Sequence, residues 1–199
     1  GRGPVADVAA RIVDRALPRR PGSLTILTYH RVDEPSARPD LMPSLVSATP
    51  ADFGSQIALV ARDFDAVSLT DVLDALDDPR RLPRRAVLVT FDDGYRDFAT
   101  NAWPVLRDAS VPATLFVATA FSDDPHRPFW WDRLWSAVAG AESGAFETPV
   151  GPLPVGHDAA KTTVARLRTW LKDLDHDAVL LEVDRIVEGL GSRPADGAD

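Results

Sequence analysis

The sequence of 199 residues lacks cysteine altogether, and only two of its 22 basic residues are lysines, Lys161 and Lys172. Without cysteine there is no disulfide scaffold, no thiolate metal site and no cysteine nucleophile. No apolar run approaches the ~18 residues that a membrane span needs. The net charge is −8 and no basic block is present, which argues against a nucleic-acid partner because phosphate neutralisation supplies most of that affinity.

The composition is that of a globular protein, with 45% hydrophobic and 26% charged residues. A chain of this length is expected to form one domain, or one domain with a helical appendage. The opening segment, residues 1–17, has the pattern of an amphipathic helix and not the apolar core of a signal peptide. Because the chain begins with Gly1, we expect a processed or excised piece, and the sequence leaves the compartment undetermined.

Short β-type runs alternate with helical ones in the first half of the chain. Predicted strands are residues 24–29, 66–69, 86–91 and 113–118. Thr49 followed by Pro50 predicts a helix start, Thr70 is a candidate cap for the next helix, and residues 101–110 are helical. Residues 31–50 are predicted to be a polar loop. Strands and helices joined by short links predict an α/β fold with a parallel sheet and right-handed crossovers.

The pattern changes after residue 120. An aromatic-led helix is predicted to open at residues 129–135, and residues 148–156 to form a small hairpin or loop. Residues 158–190 are predicted to form two helices broken near Asp175. We therefore divide the chain into residues 1–120, a barrel-like parallel half, and residues 121–199, a helical insertion.

The most informative segment is Asp92-Asp93-Gly94, which directly follows the predicted strand 86–91. In parallel α/β folds, ligands bind outside the carboxyl ends of the strands. Two neighbouring carboxylates are costly there without a compensating cation, since each raises the pKa of the other. A divalent metal resolves the conflict, with one carboxylate as ligand and the other as base toward water. The structural alternative is that Asp92 caps a helix and Asp93 is a solvated turn residue.

Residues 90–117, TFDDGYRDFATNAWPVLRDASVPATLFV, resemble the first motif and following unit of the polysaccharide deacetylase family (NodB homology domain, carbohydrate esterase family 4). The upstream LTYHRV and the later PFWWDRL are similar to segments of some members, so that the resemblance covers about residues 24–135. It implies a distorted (β/α) barrel that removes N-acetyl groups from sugars with a divalent metal, often zinc. It further implies that Asp92 is the general base and Asp93 a metal ligand.

The family's second motif, a His-x-x-x-His pair that supplies two further ligands, is absent. The four histidines include no pair at that spacing: His30, His126, His157 and His176. A complete barrel needs at least ~200 residues, and about four strands fit before residue 120. We therefore expect the first half of a barrel from an enzyme cut short, inactive as this chain alone. An open sheet edge would favour self-association.

Two further residues are candidates for substrate binding. His30 ends the first predicted strand, at the same rim as the aspartates, and Tyr95 follows Gly94. For His30 the alternative is a strand-end histidine bonded to backbone, and for Tyr95 a solvated turn residue. The tryptophans near residue 130 could stack on sugars, but Trp131 and Trp135 at i and i+4 favour packing on a core.

The first functional hypothesis is therefore metal-dependent hydrolysis of the carbon–nitrogen bond of an N-acetyl group on a polysaccharide or glycolipid sugar. The second is a non-catalytic glycan-binding or scaffolding domain with the same fold. A metallophosphoesterase would also use paired aspartates, but no Gly-rich phosphate loop is present.

Overall fold

The computed structural model of the protein describes residues 22–38, 41–122 and 128–191. The predicted opening helix, His126 and the end of the chain from residue 192 lie outside the described residues. Among the described residues, one compact unit comprises residues 22–34 and Val46–Ala118. A second comprises the described residues 35–38, 41–45, 119–122 and 128–191. Residues 35–38 and 41–45 thus group with the second unit, whereas the sequence division placed them in the first.

The strands are β1 (Leu24–Tyr29), β2 (Arg31–Val32), β3 (Val46–Ala48), β4 (Asp65–Ala66), β5 (Ala86–Phe91), β6 (Ala113–Leu115), β7 (Gly144–Thr148) and β8 (Gly151–Val155). The α-helices are α1 (Pro50–Asp63), α2 (Leu69–Asp74), α3 (Trp103–Asp108), α4 (Thr119–Ser122), α5 (Trp130–Gly140), α6 (His157–Leu171) and α7 (His176–Gly189), and a π-helical turn spans Phe98–Ala102.

The first unit is built on a parallel sheet whose central strand is β5. All six residues of β5 are buried, as expected for a strand covered on both faces. Strand β1 pairs with β5 in register along its whole length, from Leu24 opposite Ala86 to Tyr29 opposite Phe91. Strands β4 and β6 also pair with β5, at its beginning and at its end. The predicted α/β class with a parallel sheet is confirmed, and the sheet is consistent with part of a barrel.

Helix α1 begins as its sequence predicts. The Thr49 side chain accepts a hydrogen bond from the Asp52 backbone N–H, and Pro50 occupies the first turn, where its missing N–H costs nothing. The buried face of the helix carries Phe53, Ile57 and Val60. The ring of Phe53 meets the rings of Tyr29 and Phe91 at centroid distances of 5.1 and 5.8 Å, so that α1 packs on the ends of β1 and β5.

Helix α2 is capped by Ser68, and the expectation that Thr70 caps it is wrong. Ser68 forms a capping box with Asp71: its hydroxyl oxygen accepts from the Asp71 N–H, and the Asp71 carboxylate accepts from the Ser68 N–H. This reciprocal pair satisfies two of the helix's free donors, which Thr70 could not do from inside the first turn. The predicted strand 66–69 accordingly ends early, because Ser68 belongs to the helix start.

Two other boundaries differ from the sequence prediction. The strand predicted over 113–118 ends at Leu115, because β5 ends at Phe91 and offers no partner beyond the bond from the Phe116 N–H to the Phe91 carbonyl. The predicted loop 31–50 contains the paired strands β2 and β3.

The second unit contains an antiparallel hairpin and three longer helices. Strands β7 and β8 form a hairpin that begins at Gly144, four residues before the hairpin or loop predicted over residues 148–156. The break between α6 and α7 falls at Asp175, which caps α7 by accepting from the Ala178 N–H. Trp135 is 4% exposed, and Trp130 and Trp131 pack against the same core, which confirms their structural reading. Among the described residues, no helix is both long and apolar enough to cross a membrane.

Candidate functional site

The site lies where β1 and β5 end side by side. Because Tyr29 pairs with Phe91 in a parallel register, the next residue of each strand, His30 and Asp92, emerges at the same rim. The Asp92 N–H donates to the Tyr29 carbonyl at 2.9 Å, and the His30 N–H donates to the Ser47 hydroxyl at 2.9 Å. Hydrogen bonds from both backbone N–H groups therefore fix where the two side chains leave the main chain.

The side chains of His30 and Asp92 face each other across this rim. His30 Nε2 lies 4.0 Å from Asp92 Oδ2, and the side chains are 40% and 37% exposed. At that distance they form an ion pair whenever the imidazole carries a proton. The first helical residue after the strand is Arg96, so that Asp92 does not occupy a helix-capping position.

Asp93 and Gly94 form a turn with an unusual backbone. Both residues have left-handed φ angles, 73° for Asp93 and 78° for Gly94. Asp is one of the few residues that adopt this conformation readily, and such outliers cluster at ligand sites. A Cβ at Gly94 would lie 3.3 Å from Val117 Cγ1, so the turn is also held close to the chain that follows β6.

The Asp93 carboxyl is in an environment that disfavours its charge. Partial burial raises its pKa, His30 opposes this shift, and the adjacent Asp92 raises the pKa further. The result is a carboxylate that gains from a nearby cation when it ionises. The predicted conflict between two neighbouring carboxylates is therefore present at this rim.

Tyr95 does not stand free in solvent. Its partly buried ring lies over the guanidinium of Arg31, whose Cζ is 4.2 Å from the ring centroid. Arg31 is 1% exposed and donates from Nε to Asp97 Oδ2 at 2.7 Å. Burial raises the pKa of the Asp97 carboxyl, while the charge of Arg31 and a hydrogen bond from the Val32 N–H oppose that shift.

Sequence reasoning missed Arg31 and Asp97. Arg31 fell in a segment expected to be a loop, and Asp97 lies beyond the motif at the start of a helical stretch. A signal was available, because each is a charged residue that precedes an apolar one close to a predicted site residue: Arg31 directly follows His30, and Asp97 lies two residues after Tyr95. The pairing of two residues 66 positions apart is set by tertiary structure and has no local pattern.

The fit of a metal ion to these residues is partial. Catalytic zinc takes three protein ligands. Within residues 22–38, 41–122 and 128–191, no three His, Asp or Glu side chains are grouped closely enough to hold a metal ion. Asp93 offers one oxygen ligand and Asp92 a second carboxylate, so the described residues do not complete a metal centre by themselves.

Comparison with known proteins connects this rim to one family. Residues 80–144 match the family model for polysaccharide deacetylase. The matched segment includes Asp92, Asp93 and Tyr95, and ends before the β7–β8 hairpin is complete. The resemblance to the polysaccharide deacetylase family is thereby confirmed for part of the chain.

Two curated relatives share about half of this chain. The poly-β-1,6-N-acetyl-D-glucosamine N-deacetylase of Escherichia coli K12 is 29% identical over 99 residues, 50% of this chain and 14% of that protein. The Staphylococcus epidermidis protein of the same name is 32% identical over 106 residues, 49% of this chain and 36% of that protein. The chain thus matches only a minor part of the length of each relative.

Solved structures give weaker likenesses. A de-N-acetylase from Aggregatibacter actinomycetemcomitans is 21% identical, with a TM-score of 0.46, over 66% of this chain and 61% of that one. IcaB from Ammonifex degensii is 25% identical, with a TM-score of 0.43, over 59% and 49%. Both TM-scores are below 0.5, and these likenesses add nothing to the fold described above.

Proposed function

We propose that this domain acts in the hydrolytic removal of N-acetyl groups from a polysaccharide or related glycan. The observation that carries the proposal is the pair Asp92 and Asp93 at the carboxyl end of a fully buried parallel strand, within the segment that matches the polysaccharide deacetylase family. Two relatives named for the N-deacetylation of poly-β-1,6-N-acetyl-D-glucosamine support the glycan as substrate class.

The roles follow from the environments of the two carboxylates. Asp92, partly exposed and facing His30, is the general base that takes a proton from the attacking water. Asp93, whose pKa is raised by burial, gains from a neighbouring cation when it ionises. In our proposal it is a ligand of a divalent metal, with zinc as the expected ion, whose chemistry when bound is to polarise the amide carbonyl and activate water.

His30 and Tyr95 are proposed to contact the sugar. His30 shares the rim with Asp92 and offers a ring nitrogen for hydrogen bonding to a hydroxyl or the acetamido group. Tyr95 offers an aromatic ring next to the Asp93-Gly94 turn. Aromatic faces and hydrogen-bonding groups together are the usual components of a small-molecule site.

We further propose that the 199-residue chain by itself does not hydrolyse an N-acetylated glycan. Its described residues provide one proposed metal ligand, whereas catalytic zinc needs three. The test incubates the chain with zinc and N-acetylated β-1,6-linked glucosamine oligomers, while NMR follows binding and an amine reagent follows deacetylation. We expect chemical-shift changes at His30, Asp92 and Tyr95, a preference for acetylated over deacetylated oligomers, and no amine release.

Amine release that disappears in Asp92→Asn would support the chemistry and overturn the proposed inactivity. Shift changes elsewhere on the protein, or none at all, would contradict the assignment of this rim to the glycan.

A non-catalytic glycan-binding domain remains the second candidate, favoured by the partial metal fit. The two candidates differ in the effect that Asp92→Asn should have on the affinity for the oligomer. If Asp92 is a base, this variant should bind the oligomer about as well as the wild type, because the amide keeps the shape and one oxygen. If the site only binds sugar through the Asp92 carboxylate, affinity should fall.

A further inference from the structure

A buried network adjoins the candidate site, because Arg31 follows His30 in the chain and its guanidinium lies against the Tyr95 ring. Arg31 and Asp97 are 1% and 5% exposed, and they form an ion pair with Nε to Oδ2 at 2.7 Å. Removing two charges from water costs free energy, so a buried ion pair is weak evidence for stability. Such a pair is often kept for a specific structural role. Nothing in the proposed chemistry uses either residue directly.

The network joins the two chain segments that carry the candidate residues. The other oxygen of Asp97, Oδ1, accepts from the Val32 N–H at 3.0 Å. The Asn101 side chain adds a third bond, donating from Nδ2 to the Val32 carbonyl at 2.8 Å. Strand β2, which immediately follows His30, is therefore tied to the chain that follows the Asp93-Gly94 turn.

The same network supports the ring of Tyr95. The guanidinium of Arg31 is held in place by Asp97 and lies 4.2 Å from the ring centroid. A cation over an aromatic face is worth more when it is desolvated, as it is here. The turn, Tyr95 and Asp97 lie within six residues, and a π-helical turn begins at Phe98. Such turns are frequent at functional sites.

We propose that Arg31 and Asp97 are positioning residues, which hold Tyr95 and the Asp92-Asp93-Gly94 turn in the orientation that binds the glycan. Arg31 acts through the Tyr95 ring, and Asp97 acts through Arg31 and the backbone of β2. The functional part of this inference rests on the proposed glycan-binding role of the rim. The structural part does not depend on any ligand.

The structural part is tested by amide hydrogen exchange in Asp97→Asn, which keeps the shape of the side chain and removes its charge. We expect exchange to rise at least about tenfold at residues 92–98, while the amides of β5 and of α6 keep their wild-type protection. Unchanged exchange at residues 92–98 would show that the Arg31–Asp97 pair does not hold this segment in place. A uniform rise over the whole chain would also contradict this positioning role, because it would mean that the pair only contributes global stability.

The functional part is tested by Arg31→Lys, which keeps a positive charge for Asp97 but loses the planar face under Tyr95. We expect the dissociation constant of an N-acetylated β-1,6-glucosamine oligomer to increase about tenfold. Arg85→Lys is the matched control, because the Arg85 guanidinium lies 4.2 Å from the Phe64 ring, away from the rim. Affinity in this control should remain as in the wild type.

The two failures are distinguishable. If the wild-type chain binds no oligomer, the proposed function fails. The exchange result still decides whether the Arg31–Asp97 pair holds residues 92–98 in place. If the wild type binds but Arg31→Lys binds equally well, the positioning role is wrong although the proposed function stands. Tyr95→Leu, which leaves the ion pair intact, should lose affinity at least as strongly as Arg31→Lys.

Discussion

At the scale of single residues, the sequence identifies the acidic motif at the rim but not the buried ion pair next to it. The Asp92-Asp93-Gly94 motif is visible because it follows a continuous apolar run. Its left-handed φ angles and the half-buried state of Asp93 require the structure, as does the Arg31–Asp97 pair. Local patterns show where a strand ends, whereas the partners of a charge depend on which distant segment folds over it.

The pKa of Asp93 gives a prediction for Asp93→Asn. The pKa is raised in the folded state above the ordinary value of 3.8, so ionising this carboxyl costs folding free energy at every pH above the folded pKa. The amide removes that cost and tolerates the left-handed φ. The variant should therefore be more stable than the wild type at pH 7. The gain should shrink as the pH falls through the folded pKa and vanish below about pH 3.8.

Urea unfolding at a series of pH values measures this difference. Asp77→Asn, a substitution at an exposed turn residue, is the control and should show no gain at any pH. A less stable Asp93→Asn at pH 7 would show that Asp93 is stabilised as a carboxylate, against our account of its environment.

Removal of one partner of the buried ion pair should be costly. Asp97→Ala leaves the Arg31 guanidinium buried without its counter-charge and deprives the Val32 N–H of its acceptor. We expect a loss of about 3–5 kcal/mol in the free energy of unfolding. Asp108→Ala breaks an exposed pair with Arg107 and should change it by less than about 1 kcal/mol. Equal, small effects of both substitutions would contradict the burial of the network.

At the scale of elements, the strands with the clearest sequence pattern were predicted best. The bounds of β1 and β5 and the start of α1 are as predicted, because apolar β-branched runs and a Thr-Pro cap leave few alternatives. The break at Asp175 is confirmed as well, whereas the hairpin of the second unit begins four residues before the predicted segment. The short strands β2, β3 and β6 were missed or overextended, since two or three paired residues are determined by their neighbours in the sheet.

The cap of α2 is a direct test at this scale. Ser68→Ala should lower the free energy of unfolding by about 1 kcal/mol, because it removes both the acceptor for the Asp71 N–H and the capping box. Thr70→Ala, the alternative cap from sequence, should change it by only a few tenths of a kcal/mol. Denaturant unfolding of the two variants decides between them, and the reverse order of effects would show that Ser68 is not the cap.

At the scale of the whole molecule, the first unit leaves strand edges without partners in the part of the chain that the structure describes. Strand β1 pairs there with β5 alone, and β6 likewise. Ile26 is 54% exposed, and Phe116 and Val117 are 50% and 48% exposed. Unpaired edges beside apolar side chains favour association between chains. The composition indicates a globular protein, but it could not show which edges of the sheet lack a partner among the described residues.

We therefore predict that the isolated chain self-associates. Sedimentation at increasing protein concentration should show an average mass rising above 21.6 kDa. Replacing Ile26 by lysine, which places a charge on the exposed side of β1, should reduce the association. A monodisperse monomer over the whole concentration range would show that these edges are protected in solution.

The role proposed for Asp93 at the sheet rim is that of a ligand for a divalent ion, beside Asp92 as the proposed base. An NMR titration of the 199-residue chain with zinc tests it most directly. We expect weak binding, with a dissociation constant above the micromolar range, shift changes at His30, Asp92 and Asp93, and loss of these changes in Asp93→Asn but not in Asp77→Asn. Sub-micromolar zinc binding that persists in Asp93→Asn would contradict this role.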